Sequence, residues 1–224
     1  MADTGNIRVG SMILGMIQTN CYFLYVEDGR DHSKGVLYDD PTPVIFVDPA
    51  DRGEFIYEAL STRGFKIEKI LLTHGHFDHI GGADELRKLS GAEIIAYEKE
   101  KEVCESKEKN LSINYGEGFT IIPDKYLEDL SVIEAAGMTC QLIATPGHTV
   151  GGCCYYFEKG KILMCGDTLF EESVGRTDFP TSSMGSLVRA INERLMVLPD
   201  ETVCYPGHGD LTTIGHEREY NPFI

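Results

Sequence analysis

The sequence has no long apolar run and no basic, apolar start. None of its 224 residues lies in a window that approaches the roughly 18 uninterrupted apolar residues of a membrane-spanning helix. Its first residues, MADTG, lack the positive charge and the apolar segment of a secretory signal peptide. We therefore expect a soluble, cytoplasmic protein with no membrane partner.

Basic residues are scarce. The chain carries 20 Lys and Arg against 36 Asp and Glu, which gives a formal net charge of −16 with histidine neutral. Proteins that wrap nucleic acid need a concentrated basic face for the phosphates. We therefore expect no nucleic-acid partner, although a small basic pocket is compatible with this charge balance.

The sequence also lacks paired cysteines and interdomain linkers. Its seven cysteines are odd in number and form no CxxC pair, which is typical of reduced thiols rather than of a disulfide framework. No Pro-, Gly- or Ser-rich tract divides the chain. With a hydrophobic fraction of 42%, the sequence predicts one domain over residues 1–224 with a sizeable core.

Short apolar runs alternate with helix-period segments through most of the chain, which is typical of an α/β fold. Predicted strands lie at residues 44–47, 70–72, 94–97, 141–144, 153–157, 161–165 and 202–205, and predicted helices begin near residue 51 and span residues 83–90 and 184–195. The charged stretch 99–118 has little periodicity, and we predict no fold role for it.

Side chains that bind metals follow four of the predicted strands. They are His74, His76, Asp78, His79, His148, Asp167 and His208, which include five of the seven histidines. Strand ends are where α/β sheets place their ligands, and imidazole and carboxylate suit zinc, iron or manganese. This number of ligands is enough for two ions, which a bridging carboxylate would hold roughly 3.5–4 Å apart. The spacing within residues 74–79 predicts a loop rather than a helix, with the His-x-His pair on one ion and the Asp-His pair facing a second.

Some of these residues have a simpler interpretation when they are taken alone. A single histidine beside glycine, such as His148 or His208, is more often a turn or core residue than a ligand. Asp167 after Gly166 is also typical of a turn. The cluster in residues 74–79 is different, because a purely structural loop has no reason to bring several imidazoles together.

Four further ligand-type residues are not expected to bind metal. His32 and His216 fall in polar segments without suitable neighbours, so we predict that both are surface residues. Cys153 and Cys154 are adjacent in a predicted strand and should point to opposite faces of the sheet.

Residues 73–82, THGHFDHIGG, resemble the HxHxDH signature of the metallo-β-lactamase superfamily. Later motifs follow in the order of its glyoxalase II (hydroxyacylglutathione hydrolase) branch: TPGHT at 145–149, GDTLF at 166–170, GRTDF at 175–179 and YPGHG at 205–209. The resemblance implies a four-layer αβ/βα sandwich of two mixed sheets with outer helices, and a dinuclear metal site. It also implies the distribution of the ligands: His74, His76 and His148 on one ion, Asp78, His79 and His208 on the other, and Asp167 bridging both.

The sequence departs from that branch in two ways. Members that act on S-lactoylglutathione continue past the Asn-Pro-Phe motif, here residues 221–223, into a helical C-terminal domain, whereas this sequence resembles a short form that stops at Ile224. A tyrosine expected shortly after the last ligand histidine is not matched, since Gly209 and Asp210 follow it. Arg176, the basic residue of the GRTDF motif, is a candidate for binding a substrate carboxylate.

The resemblance and the ligand set predict a metal-dependent hydrolase, a thioesterase similar to hydroxyacylglutathione hydrolases that cleaves a small, anionic acyl-thioester. Two divalent ions, zinc first with iron or manganese as alternatives, would generate the attacking hydroxide at neutral pH, and Asp78 would orient it. Three alternatives stay open. They are a persulfide dioxygenase with one iron, which shares the GRTDF stretch, a hydrolase of another ester, lactone or phosphodiester, and a metal-binding protein without catalysis.

Overall fold

The amino-terminal half of the chain forms a sheet whose strands follow chain order. In the computed structural model, which describes residues 6–36 and 38–224, these strands are β1 (Ile7–Leu14), β2 (Thr19–Val26), β3 (Thr42–Val47), β4 (Phe65–Leu71), β5 (Glu93–Tyr97) and β6 (Lys125–Leu127). Pairing is antiparallel from β1 to β3 and parallel from β3 to β6, so the sheet is mixed. The parallel connections contain α1 (Gly53–Ser61), α2 (Phe77–Ile80), α3 (Ala83–Ser90) and α4 (Lys101–Cys104).

The carboxyl-terminal half forms a second mixed sheet. Its strands, in spatial order, are β14 (Thr212–Thr213), β13 (Val203–Pro206), β10 (Ile162–Gly166), β9 (Cys153–Phe157), β8 (Met138–Ala144) and β7 (Val132–Ala135). A small hairpin of β11 (Leu169–Phe170) and β12 (Ser173–Val174) follows β10. The remaining helices are α5 (Met184–Ala190), which continues as a π-helical turn over Ile191–Leu195, and α6 (Ile214–Tyr220).

Alternating side chains of β3 show why its sequence is a continuous apolar run. Val44 and Phe46 pack on the helix side of the first sheet, whereas Ile45 and Val47 face the second sheet. A strand that is buried on both faces needs apolar residues at every position.

Three layers of apolar contact hold the sandwich together. Ile56, Leu60 and Leu86 of α1 and α3 pack on the outer face of the first sheet. The two sheets bury their inner faces against each other, and Leu187 of α5 and Ile214 of α6 lie in the core on the outer face of the second sheet. The arrangement is the predicted four-layer αβ/βα sandwich.

The cysteines agree with the prediction of free thiols. All seven are buried and unpaired by disulfides. Cys153 belongs to the core between the sheets and Cys154 to the core on the helix side, so the two side chains point to opposite faces as predicted. Among the described helices, none is long and apolar enough to cross a membrane.

His32 is not the surface residue that its polar neighbours predict. Its ring stacks on Phe65 with a centroid separation of 4.0 Å, and its Nδ1 lies 2.8 Å from the carbonyl oxygen of Arg63. The prediction was wrong because this burial comes from contacts distant in sequence. His216 is half-buried and lies 3.2 Å from a carboxylate oxygen of Glu172.

Candidate metal centre

Four strand ends meet at one edge of the sandwich. β8, β10 and β13 run in the same direction, because β8 and β10 are both antiparallel to β9, and β10 is parallel to β13. Their carboxyl ends lead into His148, Asp167 and His208, and the carboxyl end of β4 in the other sheet leads into His74. The sheets therefore bring together segments that lie far apart in sequence.

All seven predicted ligand residues converge at this edge. Their ligand atoms form three overlapping groups, and within each group the atoms lie within 4.8 Å of one another. The groups are His74, His76 and His148; His74, His79 and Asp167; and Asp78, His79 and His208. The group that contains Asp167 takes one histidine from each of the other two, which is the position that a bridging carboxylate needs.

Asp78 and His79 lie on a short helix, not in the loop that their spacing predicts. This helix, α2, begins directly after His76, and the His79 N–H donates to the His76 carbonyl at 2.9 Å. Nε2 of His79 lies 3.3 Å from Oδ2 of Asp78. The loop prediction was wrong for these two residues, because one helical turn is enough to aim both side chains at the same place.

Asp48, directly after β3, accepts a hydrogen bond from Nδ1 of His79, the ring nitrogen that does not face the cluster. Its Oδ2 accepts hydrogen bonds from His79 Nδ1 at 2.9 Å and from Thr73 Oγ1 at 2.6 Å, and its Oδ1 accepts from the Thr73 N–H at 2.8 Å. The bond at Nδ1 leaves Nε2 of His79 free to face the cluster. Asp48 is not among the predicted site residues, although its place directly after an apolar strand is the signal that marks the other site residues.

Other site residues also have partners outside the cluster. Nδ1 of His148 donates to the Arg176 carbonyl at 2.8 Å, and Oγ1 of Thr19 donates to Oδ2 of Asp78 at 3.0 Å. Nε2 of His208 lies 3.2 Å from the same Asp78 oxygen. These contacts restrict the orientation of each side chain before any ligand binds.

The turn that carries the last predicted ligand approaches the cluster closely. A Cβ at Gly207 would lie 2.3 Å from Oδ1 of Asp167, so only glycine fits there. The Asn20 side chain donates to the carbonyls of Pro206 and Gly209, at 3.1 and 3.0 Å, and so anchors the turn to β2.

Burial keeps three histidines of the cluster neutral. Burial lowers the pKa of His76 to about 3, with a further contribution from His148, and lowers the pKa of His148 itself. The pKa of His74 is well below its ordinary value, again because of burial first and of the neighbouring imidazoles second. Neutral imidazole is the form that binds a metal ion.

In the rest of the cluster, attraction between opposite charges outweighs the effect of burial on the pKa values. These residues are Asp78, His79, Asp167 and His208. Burial opposes ionisation of Asp78 and Asp167, but His79 outweighs it and holds the pKa of both carboxyls below its usual range. Burial also opposes protonation of His79 and His208, yet the two carboxylates raise the pKa of both histidines. The carboxylates are therefore ionised, which is their ligand form.

The unpartnered atoms of the cluster fit a bound cation. Among the described residues, five buried side-chain polar atoms lack a hydrogen-bond partner, and four of them are Nε2 of His74, His76 and His79 and Oδ1 of Asp167. Leaving such an atom unpaired costs about 1–3 kcal/mol. Their concentration at one place, in a set of imidazoles and carboxylates, fits divalent metal ions.

A cavity of about 570 Å³ opens onto the cluster. Its walls are formed by Ile17, Phe77, Leu111, Asn114, Tyr115, Phe170, Arg176 and Phe179. Tyr115 stacks on Phe77 with a centroid separation of 4.3 Å. Leu111, Asn114 and Tyr115 belong to the stretch 99–118, so this segment shapes the cavity although its sequence predicted no role for it.

Arg176 is the only Lys or Arg among the described residues that line this cavity. Its guanidinium donates to both carboxylate oxygens of Asp178, at 3.0 and 2.7 Å, and lies 4.4 Å from the ring centre of Phe179. The side chains of Arg176 and Asp178 are 69% and 64% exposed. Water screens an ion pair this exposed, so an anion in the cavity can compete for the guanidinium.

A four-layer sandwich with overlapping groups of histidine and aspartate at one edge defines a metallohydrolase. The chain belongs to the metallo-beta-lactamase superfamily, whose sequence model matches residues 17–208.

Known relatives agree with this assignment. Hydroxyacylglutathione hydrolase GloC of Haemophilus influenzae is 31% identical over 192 residues, which cover 84% of this chain and 91% of GloC. The crystal structure of BLEG-1 B3 metallo-beta-lactamase is 33% identical, with a TM-score of 0.85 over 96% of this chain and 99% of that one. The structure of TTHA1623 in a di-iron-bound form is 30% identical, with a TM-score of 0.79 over 96% of this chain and all of that one (100%).

Proposed function

We propose that this chain is a dinuclear metal-dependent thioesterase that hydrolyses a small, anionic acyl-thioester of the hydroxyacylglutathione type. The observation that carries the proposal is the set of three overlapping ligand groups beside a cavity large enough for a small molecule. The similarity to GloC, which is named a hydroxyacylglutathione hydrolase, favours a thioester over other substrates.

In this proposal two divalent ions, zinc first, are held by the ligand set that the resemblance implies. His74, His76 and His148 would hold one ion, Asp78, His79 and His208 would hold the other, and Asp167 would be shared between them. When bound, such ions activate water at neutral pH and stabilise negative charge on an attacked carbonyl oxygen. The relative in a di-iron-bound form makes iron the first alternative to zinc.

Asp78 is the proposed catalytic residue. Its Oδ2 is held by Thr19 Oγ1 at 3.0 Å, so the direction of the carboxylate is fixed. We assign it the role of accepting a hydrogen bond from the attacking water and of orienting that water towards the substrate carbonyl. A thioester needs no general acid here, because its thiolate leaves without a proton.

Charge at the site favours an anionic substrate. Two divalent ions would exceed the negative charge of Asp78 and Asp167, so the site accepts an anion although the whole chain has a formal charge of −16. Arg176 is the proposed contact for a substrate carboxylate, which would replace Asp178 at its exposed guanidinium. The same overall charge disfavours nucleic acid as a substrate.

A substrate panel with parallel metal analysis tests the proposal. The panel contains S-lactoylglutathione, a neutral thioester, a lactone, a β-lactam, a phosphodiester and glutathione persulfide with oxygen-uptake measurement. The proposal predicts about two metal ions per chain and the highest kcat/KM on the anionic thioester. A single iron per chain with oxygen uptake on the persulfide would contradict the proposal. A higher kcat/KM on the β-lactam, the substrate class in the name of the BLEG-1 relative, would also contradict it.

A further inference from the structure

Glu100 has a fully buried carboxylate behind the candidate metal centre. It ends the short 3₁₀ turn Glu98–Glu100 that follows β5, and it is 1% exposed. The mechanism proposed above gives this residue no role. A buried carboxylate is costly unless its oxygens are satisfied, so its partners indicate why the chain keeps it.

The partners of Glu100 come from both segments that carry the three-histidine group. Its Oε1 accepts from the Gly75 N–H at 2.7 Å, and Gly75 lies between His74 and His76. Its Oε2 accepts from Thr149 Oγ1 at 2.9 Å and from the Gly151 N–H at 2.9 Å, and these residues lie one and three positions after His148. One carboxylate therefore connects the two segments through three hydrogen bonds.

The backbone at Gly75 and at Gly151 packs closely against the segment that carries Glu100. A Cβ at Gly151 would lie 2.1 Å from the Glu100 nitrogen, and a Cβ at Gly75 would lie 2.9 Å from the Cys104 nitrogen. Both ligand-bearing segments thus rest directly on the segment 98–104. A shift of that segment, or of the Glu100 carboxylate, must move the histidines beside it.

We propose that Glu100 is a positioning residue that holds His74, His76 and His148 in their common metal-binding arrangement. The inference rests on the proposed function only in assigning these three histidines to one ion. Glu100 belongs to none of the three ligand groups found among the described residues, and its two oxygens accept hydrogen bonds from Gly75, Thr149 and Gly151. Loss of such an outer contact typically weakens metal binding about 10- to 100-fold.

Replacement of Glu100 by glutamine isolates this role. Glutamine has nearly the same shape, but one of its two terminal groups is an NH₂ donor. In one orientation the NH₂ group faces the Gly75 N–H, and in the other it faces Thr149 and Gly151, so at least one connection is lost. Glu98→Gln, at an exposed position of the same turn, is the matched control.

The experiment measures metal affinity rather than catalysis. Zn²⁺ is titrated into metal-free protein in competition with a chromophoric chelator, for Glu100→Gln and Glu98→Gln in each of two backgrounds. His208→Ala retains the three-histidine group, and His76→Ala retains the group around Asp78. We expect Glu100→Gln to weaken Zn²⁺ binding about 10- to 100-fold in the His208→Ala background and less than about threefold in the His76→Ala background. Glu98→Gln should change neither affinity.

Thr149→Val provides a second route if Glu100→Gln fails to fold. It removes one of the three donors and preserves side-chain volume, so it should weaken the same site in the His208→Ala background by a smaller factor. If Glu100→Gln folds and leaves the Zn²⁺ affinity unchanged in the His208→Ala background, the inference is overturned. If Glu100→Gln does not fold, unchanged Zn²⁺ affinity in Thr149→Val overturns it. Equal weakening in both backgrounds would also overturn it, since Glu100 would then support the fold in general. If the wild-type chain binds no Zn²⁺, the proposed function fails first and this inference fails with it.

Discussion

Replacing Asp48 by asparagine should weaken the group formed by Asp78, His79 and His208 and leave the fold intact. Asp48 is 2% exposed and accepts three hydrogen bonds, two from Thr73 and one from His79. Its φ of +51° lies in the left-handed region, which asparagine tolerates as well as aspartate does. The substitution therefore removes acceptor capacity without adding backbone strain.

The magnitude follows from the geometry of the three bonds. In its best orientation, the asparagine side chain would keep an oxygen where Oδ2 of Asp48 accepts from Thr73 Oγ1 and His79 Nδ1, and would turn its NH₂ group towards the Thr73 N–H. One bond to a charged acceptor is lost and one buried amide is left unpaired, which should lower the free energy of unfolding by about 2–4 kcal/mol. For a domain of this size the melting temperature should then fall by roughly 5–15 °C.

Two assays check this prediction. Thermal unfolding of the metal-free protein reports the stability change. Chelator competition reports the Zn²⁺ affinity, which should fall by about 10- to 100-fold because the retained bond to His79 Nδ1 then comes from an amide oxygen, a weaker acceptor than the Asp48 carboxylate. Asp51→Asn is the matched control, because Asp51 is exposed and should change stability by less than about 0.5 kcal/mol. If Asp48→Asn matches this control in melting temperature and in Zn²⁺ affinity, Asp48 does not orient His79.

Three further predictions concern the metals and the substrate. His76→Ala should lose one ion per chain and most of the hydrolysis but keep its circular dichroism spectrum, as metal analysis and assay of the same sample would show. Arg176→Ala should raise KM more for acidic than for neutral thioesters, and an equal effect on both would remove its assigned role. Chelation of metal that was present at 1,000 times its Kd should cost about 4 kcal/mol per ion, and calorimetry should show a melting temperature lower by roughly 8–16 °C for each.

Regular periodicity explains which parts of the fold could be predicted from the sequence. β3 and β9 are continuous apolar runs, and the helix that starts at Met184 repeats its apolar residues every three or four positions. The polar residues directly after such strands therefore indicated which edge of the sandwich carries the candidate site. Their convergence depends on sheet order, which only the resemblance supplied.

Long-range contacts explain what the sequence did not show. The stretch 99–118 consists of short turns held by distant partners, such as Glu100 with Gly75 and Thr149, and short turns have no period to detect. The burial of His32, which lies in a 3₁₀ turn, likewise comes from stacking on Phe65 of β4. α2 has only four residues, too few for a helical repeat to appear.

The decisive measurement is the metal content per chain after equilibrium dialysis of the wild-type protein against Zn²⁺. A dinuclear centre should retain close to two ions per chain, falling to one in His76→Ala and in His208→Ala. Wild-type protein that retains no metal, or variants that still hold two ions, would contradict it.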